Sequence, residues 1–523
     1  MGMNSEYDIA VLGAGFGGSL FAACAAAIGY SVILVEKHHH PRFAIGESTS
    51  PLANLVLEEI AQAYDLKELL PLTNYASWKS TVPHLRCGLK RGFTYYTHPL
   101  GKPRSNERDN ELLVAASPCD AVADMHWMRE DVDLFFCNVA RSRGVDYRDD
   151  TRTEIHDYER GWCLTLHTAA TADKVTAKFL IDAGGPRGTV ANFLKMGEAS
   201  FPTLPETSAI YTHFNGVELC NSGSLHGAPY PPDWAAVHHL FDGGWIWSLR
   251  FDDGLVSAGA ALTKPFMRKY LRADHPDLQW QQLLELLPGV RSLFCKSAPA
   301  RPFCHAPTLS WRASKAAGRA WAMLPSAAAS IDPLFSTGIP LTLLGIQRLM
   351  DQLGSSGLDA DLTDYSRVTL DEADCTAALV GACYKTMGNM ALFAPLTMLY
   401  FAGVSYAETA RRTGRTRLSS GFMSLDRAAF RRNMLAILGN IDRYSATPSD
   451  VSRLWSDIAE IIAQINVAGL AQHAKHNWYG VDLQDIVISA AKLGYSSPSI
   501  KQLLTHEAWA NGCGDNIVQE HAE

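Results

Sequence analysis

The sequence has no Cys-x-x-Cys pair: its 11 cysteines, at 24, 87, 119, 137, 163, 220, 295, 304, 375, 383 and 513, are odd in number and scattered. Neither a disulfide framework nor a zinc site is to be expected, and a reducing cytoplasm suits such a set. No apolar run is read as reaching the ~18–20 residues that span a bilayer, and a strand begins by residue 8 with no basic segment before it. Charged residues make up only 19%, with 54 acidic against 46 basic side chains and a net charge of −8. That balance offers no general attraction to nucleic-acid phosphates or anionic membrane surfaces. Repeats and low-complexity tracts are missing too. The one histidine tract, His38-His39-His40, lacks the i, i+4 spacing of helical ligands, so no metal is expected.

What is present is apolar and aromatic: 47% hydrophobic residues, with 12 Trp, 18 Tyr and 20 Phe spread along 523 residues. The length suits two or three domains, because single cores stop growing near ~250–300 residues. Asp8–Leu12 reads as a short strand, residues 19–28 as an alanine-rich helix and residues 31–35 as a second strand, together a βαβ unit. Between strand and helix stands Gly13-Ala14-Gly15-Phe16-Gly17-Gly18. Gly13 permits the tight turn, Gly15 lets a pyrophosphate approach the backbone and Gly18 allows close helix packing. Glu36, 23 residues after Gly13 and at the end of the second strand, is placed to accept from ribose hydroxyls. Arg42, just beyond, is a candidate phosphate or ribose contact.

This fingerprint alone does not separate FAD from NAD. Phe179–Ala183, an apolar strand ending in Gly184-Gly185, and Trp321–Gly338, a strand followed by a glycine-ended loop and a helix, are segments by which FAD-binding proteins return to the cofactor. No second G-x-G-x-x-G marks an NAD(P)H domain, so reducing equivalents are expected from elsewhere. The expected fold is α/β: the doubly wound FAD-binding fold of the glutathione reductase and aromatic hydroxylase type, with a sheet-containing substrate layer and a helical C-terminal region. The core is assigned to residues 1–350, its nucleotide-binding segments to about 5–50, 125–195 and 310–350, and its substrate side to about 51–124 and 196–309. Residues 351–523 are assigned to a helical cap.

Five segments then make the sequence specific: HPRFAIGEST (40–49), CGLKRGF (87–93), WMREDVD (127–133), GGWIWSLRF (243–251) and DPLFSTGIPLT (332–342). In order and approximate spacing they resemble the flavin-dependent halogenases, particularly the phenol-directed branch. The resemblance covers about residues 5–350, and the C-terminal region is similar in texture alone.

The resemblance implies that reduced FAD, supplied by a separate flavin reductase, and dioxygen oxidise chloride or bromide to hypohalous acid, which travels through the protein to a small aromatic substrate, free or tethered to a carrier protein. It assigns Lys90 as the catalytic lysine that engages the hypohalous acid. FAD contacts fall to Gly13, Gly15, Phe16, Gly18, Glu36, Lys37, Arg42, Glu47, Ser48, Arg129, Asp332, Gly338 and Ile339. Ser336, Thr337 and Gly338 become the halide site, a nest of N–H groups being a sensible anion receptor; Ser336 or Thr337 is equally a helix N-cap. Trp245 and Trp247 match the first half of a W-x-W-x-I-P signature that shields the flavin, while Leu249 and Arg250 stand where isoleucine and proline are expected. Phe335 occupies the place where tryptophan-directed members carry glutamate, which moves the expectation to phenols. A phenol needs a base for its proton, and His98, His213 and His238 are available, each also readable as structural. Lys79 is a weaker alternative to Lys90. The basic runs from Arg411 to Arg417 and Arg427 to Arg432 read as a solvated helix face, with docking of an acidic carrier as the alternative. A flavin monooxygenase or dehydrogenase, and a non-catalytic flavin-binding protein, are the other functions considered.

Overall fold

β1 (Ser5–Leu12) forms a central strand of a mostly parallel sheet, with Ile9, Ala10 and Val11 wholly enclosed. A strand covered on both faces must be apolar without alternation, as this one is. The computed structural model describes residues 5–506, apart from 106, 158–160, 198 and 221–226. α1 (Phe16–Ala27) follows the glycine turn, and β2 (Val32–Val35) pairs parallel to β1. On the other side of β1 lies the strand Ala172–Asp182, in register Ile9 to Phe179 and Leu12 to Asp182. Trp321–Met323 extends the sheet beyond it, and Asp146–Arg148 lies outside β2, both in parallel pairing. The chain thus re-enters one sheet from three distant segments, as expected for the FAD-binding α/β class. The returning strand is longer than the Phe179–Ala183 reading, because its first half also pairs with Trp162–His167 in an antiparallel hairpin.

Between β2 and the second entry run α2 (Pro51–Ala63), β3 (Cys87–Lys90), β4 (Gly92–Thr97), β5 (Glu111–Ala115) and β6 (Asp124–Trp127). Ser50 caps α2 by accepting from Ala53 N, and Pro51 takes the first helical position, where no N–H is needed. β4 and β5 join a second sheet with the strands Ala236–Phe241, Gly244–Arg250, Val256–Thr263 and Thr207–Asn215. Its other edge receives Trp478–Tyr479, parallel to β5, so the C-terminal region is not helical throughout. β3 and β6 form a separate two-stranded ladder in which Lys90 pairs with Asp124.

The expectation about long apolar runs is corrected by Met390–Arg412, 23 residues with mean hydropathy 1.4 over its best window. Of that window 78% is buried inside the protein, where the helix packs against α2 and the second sheet. It is the length and composition of a core helix as much as of a span. Among the described residues nine cysteines carry free thiols, and Cys119 is disulfide-bonded.

Candidate active site

A cleft of about 530 Å³ opens where α1 begins, at the carboxyl ends of the parallel strands, the usual ligand position of such a sheet. Gly13 has φ +104°, and a Cβ there would lie 2.6 Å from Ala183 O. A Cβ on Gly18 would lie 2.0 Å from Gly13 O, so only glycine lets helix and turn touch. Gly15 lines the cleft, with Arg42, Arg129 and Asp133 around the place a side chain would occupy. Glu36, at the end of β2, is buried and accepts from Ala14 N (3.0 Å) and Arg42 Nη2 (3.2 Å). Arg129 spans from Asp133 to the carbonyls of Ile45 and Gly46, which fixes the following Glu47 and Ser48 against the cleft.

The far end of the cleft is walled by Trp245, Trp247 and Leu249, alternate residues on one side of their strand. Trp245 Nε1 donates to Asp332 Oδ1 at 3.1 Å, and the rings of the two tryptophans are 5.8 Å apart. Ser336, Thr337 and Gly338 open the 19-residue helix Gly338–Ser356 onto the same space. Ser336 holds φ +54°, Thr337 forms no side-chain cap, and the space beside Gly338 is open. Ser336 N donates to the Pro333 carbonyl at 2.9 Å, so the N–H groups offered to an anion at this open cleft are those of the helix start that follows it. The capping role read for Ser336 or Thr337 is therefore not taken up by either side chain.

A second, smaller pocket of about 70 Å³ is lined by Phe93, Val114, Tyr400, Phe401, Glu408 and Tyr479 among others. By the space a water needs, ~10–15 Å³, it holds about five to seven water-sized groups, the size of one ring. Cleft and pocket share a partition. Ser48 faces the cleft, Ser50 faces the pocket, and the carbonyl of Thr49 between them accepts from Lys90 Nζ. Lys90 is wholly buried, its ammonium 4.2 Å from the centroid of Phe93. Burial pushes the Lys90 pKa down while the Asp124 carboxylate pulls it back up; burial also raises Asp124. Tyr400, which lines the pocket, is backed by Phe335, stacked on it at 4.7 Å, and Tyr400 Oη donates to the Phe335 carbonyl.

Residues 121–390 match the family model described as tryptophan halogenase. The chain belongs to that family. It is 27% identical over 414 residues, 76% of this chain and 71% of the relative, to the monodechloroaminopyrrolnitrin halogenase PrnC of Pseudomonas fluorescens. It is also 27% identical to the tetracycline 7-halogenase of Kitasatospora aureofaciens, over 64% of this chain and 61% of that protein, less than two thirds of its length. The crystal structure of halogenase PltM in complex with phloroglucinol and FAD superposes with a TM-score of 0.81 at 23% identity, covering 90% of this chain and 99% of that one. The fold is that of the FAD-binding halogenases, and the chain is accordingly an enzyme that uses FAD for halogenation.

The cleft of the halogenase fits that cofactor. Ser48 Oγ and Arg42 Nε are buried at its edge without a hydrogen-bond partner among the described residues, which is costly unless a ligand completes them. Gly15, Phe16, Gly18, Arg42, Glu47, Ser48, Arg129, Gly338 and Ile339 all line it, and Glu36 stands one hydrogen bond behind, through Arg42. Three more of the expected contacts do not line it: Gly13 lies within the turn beneath, and the other two lie elsewhere. Lys37 has an exposed side chain, and the Asp332 carboxylate is engaged by Trp245 Nε1, Tyr384 Oη (2.6 Å) and Leu334 N. Asp332 acts on the cleft through Trp245.

Arg250 points off the opposite side of its strand and donates to the Val217 and Glu218 carbonyls, away from the shielding tryptophans. Lys79 is exposed and ion-paired with Asp252. The three histidines are committed: His98 to His239, His213 to Glu47 and His238 to the Ala236 carbonyl. Burial drives the pKa values of His98 and His238 down to about 3. The basic run needs correction at its start. Arg411 is buried against Glu59 at 2.5 Å and Arg412 is paired with Glu408 at 2.8 Å, so neither is a solvated face or a docking surface. Glu408, Asp124 and Tyr400 were not singled out from the sequence. The available signal was a glutamate at the 401, 404, 405, 408 spacing of an otherwise apolar helical stripe.

Proposed function

We propose that the protein halogenates a phenolic ring, with FAD and halide in the larger cleft, the ring in the smaller pocket and Lys90 handing the oxidant across the partition. The observation that carries this reading is the position of Lys90: enclosed between a cleft wall at Ser48–Thr49 and a pocket wall at Phe93. Reduced FAD supplies the activation of dioxygen by which the halide becomes hypohalous acid. The helix start at Ser336–Gly338 holds the halide by its N–H groups. Trp245 and Trp247 keep the ring away from the flavin, so direct oxygen transfer is suppressed. The Lys90 ammonium donates to the hypohalous acid, or its amine carries the halogen, and burial keeps both forms within reach at neutral pH. Phe335 stands where a carboxylate would, behind the pocket-lining Tyr400 on which it stacks, and this favours a ring already activated by its own hydroxyl. A flavin reductase in the cytoplasm serves as the electron source.

Incubation with FAD, a flavin reductase, NADH, bromide and a panel of phenols, followed by mass spectrometry, tests the reading. Products heavier by bromine for hydrogen, and dependent on bromide, are expected. Products carrying only oxygen, formed at a rate independent of halide, would show a monooxygenase instead.

A further inference from the structure

The smaller pocket contains a carboxylate that the known elements of the site leave unused. Glu408 lies on Met390–Arg412, on the stripe with Phe401, Val404 and Ser405 that lines the pocket. Across the pocket stands Phe93, whose ring carries the Lys90 ammonium. Glu408 and the Phe93 ring thus line the same pocket, with the Lys90 ammonium on the ring. The other carboxylate lining the pocket, Asp482, is exposed and accepts from Gln484 N at the start of the helix Leu483–Ile488. Arg412 Nε donates to Glu408 Oε1 at 2.8 Å, which fixes the carboxylate and opposes the effect of burial on its charge.

We propose that Glu408 accepts the proton of the substrate's phenolic hydroxyl, so that α-helical Glu408 supplies the base that Phe335 cannot. This rests on the phenol-halogenase reading above. As the ring's electron pair forms the carbon–halogen bond, the halogen–oxygen bond of hypohalous acid breaks and its pair leaves as hydroxide, while the phenolic proton passes to Glu408. Hydroxide then takes the ring proton, which restores aromaticity and gives water, and Glu408 returns its proton to the phenolate oxygen. One ring hydrogen is replaced by halogen and one hypohalous acid becomes one water. The hydrogen bond from the hydroxyl to Glu408 also sets which ring carbon faces Lys90, so the base doubles as an orienting group. Burial raises the Glu408 pKa, with Arg412 opposing it, which narrows the gap to a phenol.

The experiment compares wild type, Glu408→Gln and Glu408→Asp in the reductase-coupled assay with bromide. Two readouts are taken: bromination of a phenol, and bromination of monochlorodimedone, a trap for hypohalous acid that leaves the enzyme. FAD titration by fluorescence checks that each variant is folded. Glu408→Gln is expected to lose about 100-fold in phenol bromination while trap bromination stays within twofold, and Glu408→Asp to recover part of the loss. Phenol bromination by Glu408→Gln within twofold of wild type overturns the proposal. So does parallel loss of both readouts, which would put Glu408 in oxidant formation or in folding. A wild type that brominates the trap but no phenol removes the substrate reading, an outcome distinct from either.

Discussion

Lys90 stands directly opposite Asp124 across the β3–β6 ladder, and both side chains are buried. Burial acts against the charged form of each, and their mutual attraction acts for it. Asp124 Oδ2 has no hydrogen-bond partner, so the carboxylate acts on Lys90 mainly through its field. His126 and His238, also near the ammonium, are held neutral by burial.

Asp124→Asn removes the one group that raises the Lys90 pKa. The limb of the pH–rate profile that titrates Lys90 is expected to move to lower pH, by about one unit for ~1.4 kcal/mol of lost interaction. A limb that stays in place would show that Asp124 does not tune the lysine.

Gly18→Ala places a methyl group 2.0 Å from Gly13 O, inside the turn proposed to hold the cofactor. FAD binding, followed by quenching of flavin fluorescence, is expected to fall by at least about tenfold, the equivalent of ~1.4 kcal/mol. Wild-type affinity would remove the turn from its role.

Arg348 forms a bidentate pair with Glu372, which is buried beside the cleft and also accepts from Phe422 N at 2.7 Å. Arg348→Ala leaves Glu372 without its counter-charge and is expected to cost roughly 3–5 kcal/mol. Chemical denaturation measures this, and a loss below about 1 kcal/mol contradicts it.

His98, His126 and His238 are pushed down to about 3 by burial, from an ordinary value of 6.5. Between those values the unfolded chain binds more protons than the folded one, so stability rises with pH there and is lost as pH falls below about 6.5. The slope reaches about 1.4 kcal/mol per pH unit for each histidine. Thermal melts from pH 7 to pH 4.5 should show a steadily falling Tm; a Tm flat across that range excludes the linkage.

The parts of the site that local chemistry dictates could be read without a structure. Gly13, Gly15 and Gly18 announce themselves because no other residue fits that turn, and Trp245 and Trp247 share a face because strands alternate. The same alternation sends Arg250 to the opposite face, a consequence that the motif's missing proline obscured. Asp332 sits within a recognisable motif, yet its partner Tyr384 lies 52 residues away, so its duty of holding Trp245 was invisible. Arg411 and Arg412 resemble a solvated cluster until α2 brings Glu59 to one and the helix turns Glu408 to the other. Glu408 escaped notice for the same reason: which face of an apolar helix meets a pocket is decided by packing, not by composition.

In the proposed reaction the oxidant crosses the partition at Lys90. Lys90→Ala, assayed with a flavin reductase, bromide and a phenol, tests it most directly, with brominated product and hydrogen peroxide measured together. The account predicts loss of the brominated phenol, with FAD binding intact and peroxide still released. Bromination of the phenol at the wild-type rate by that variant would contradict it.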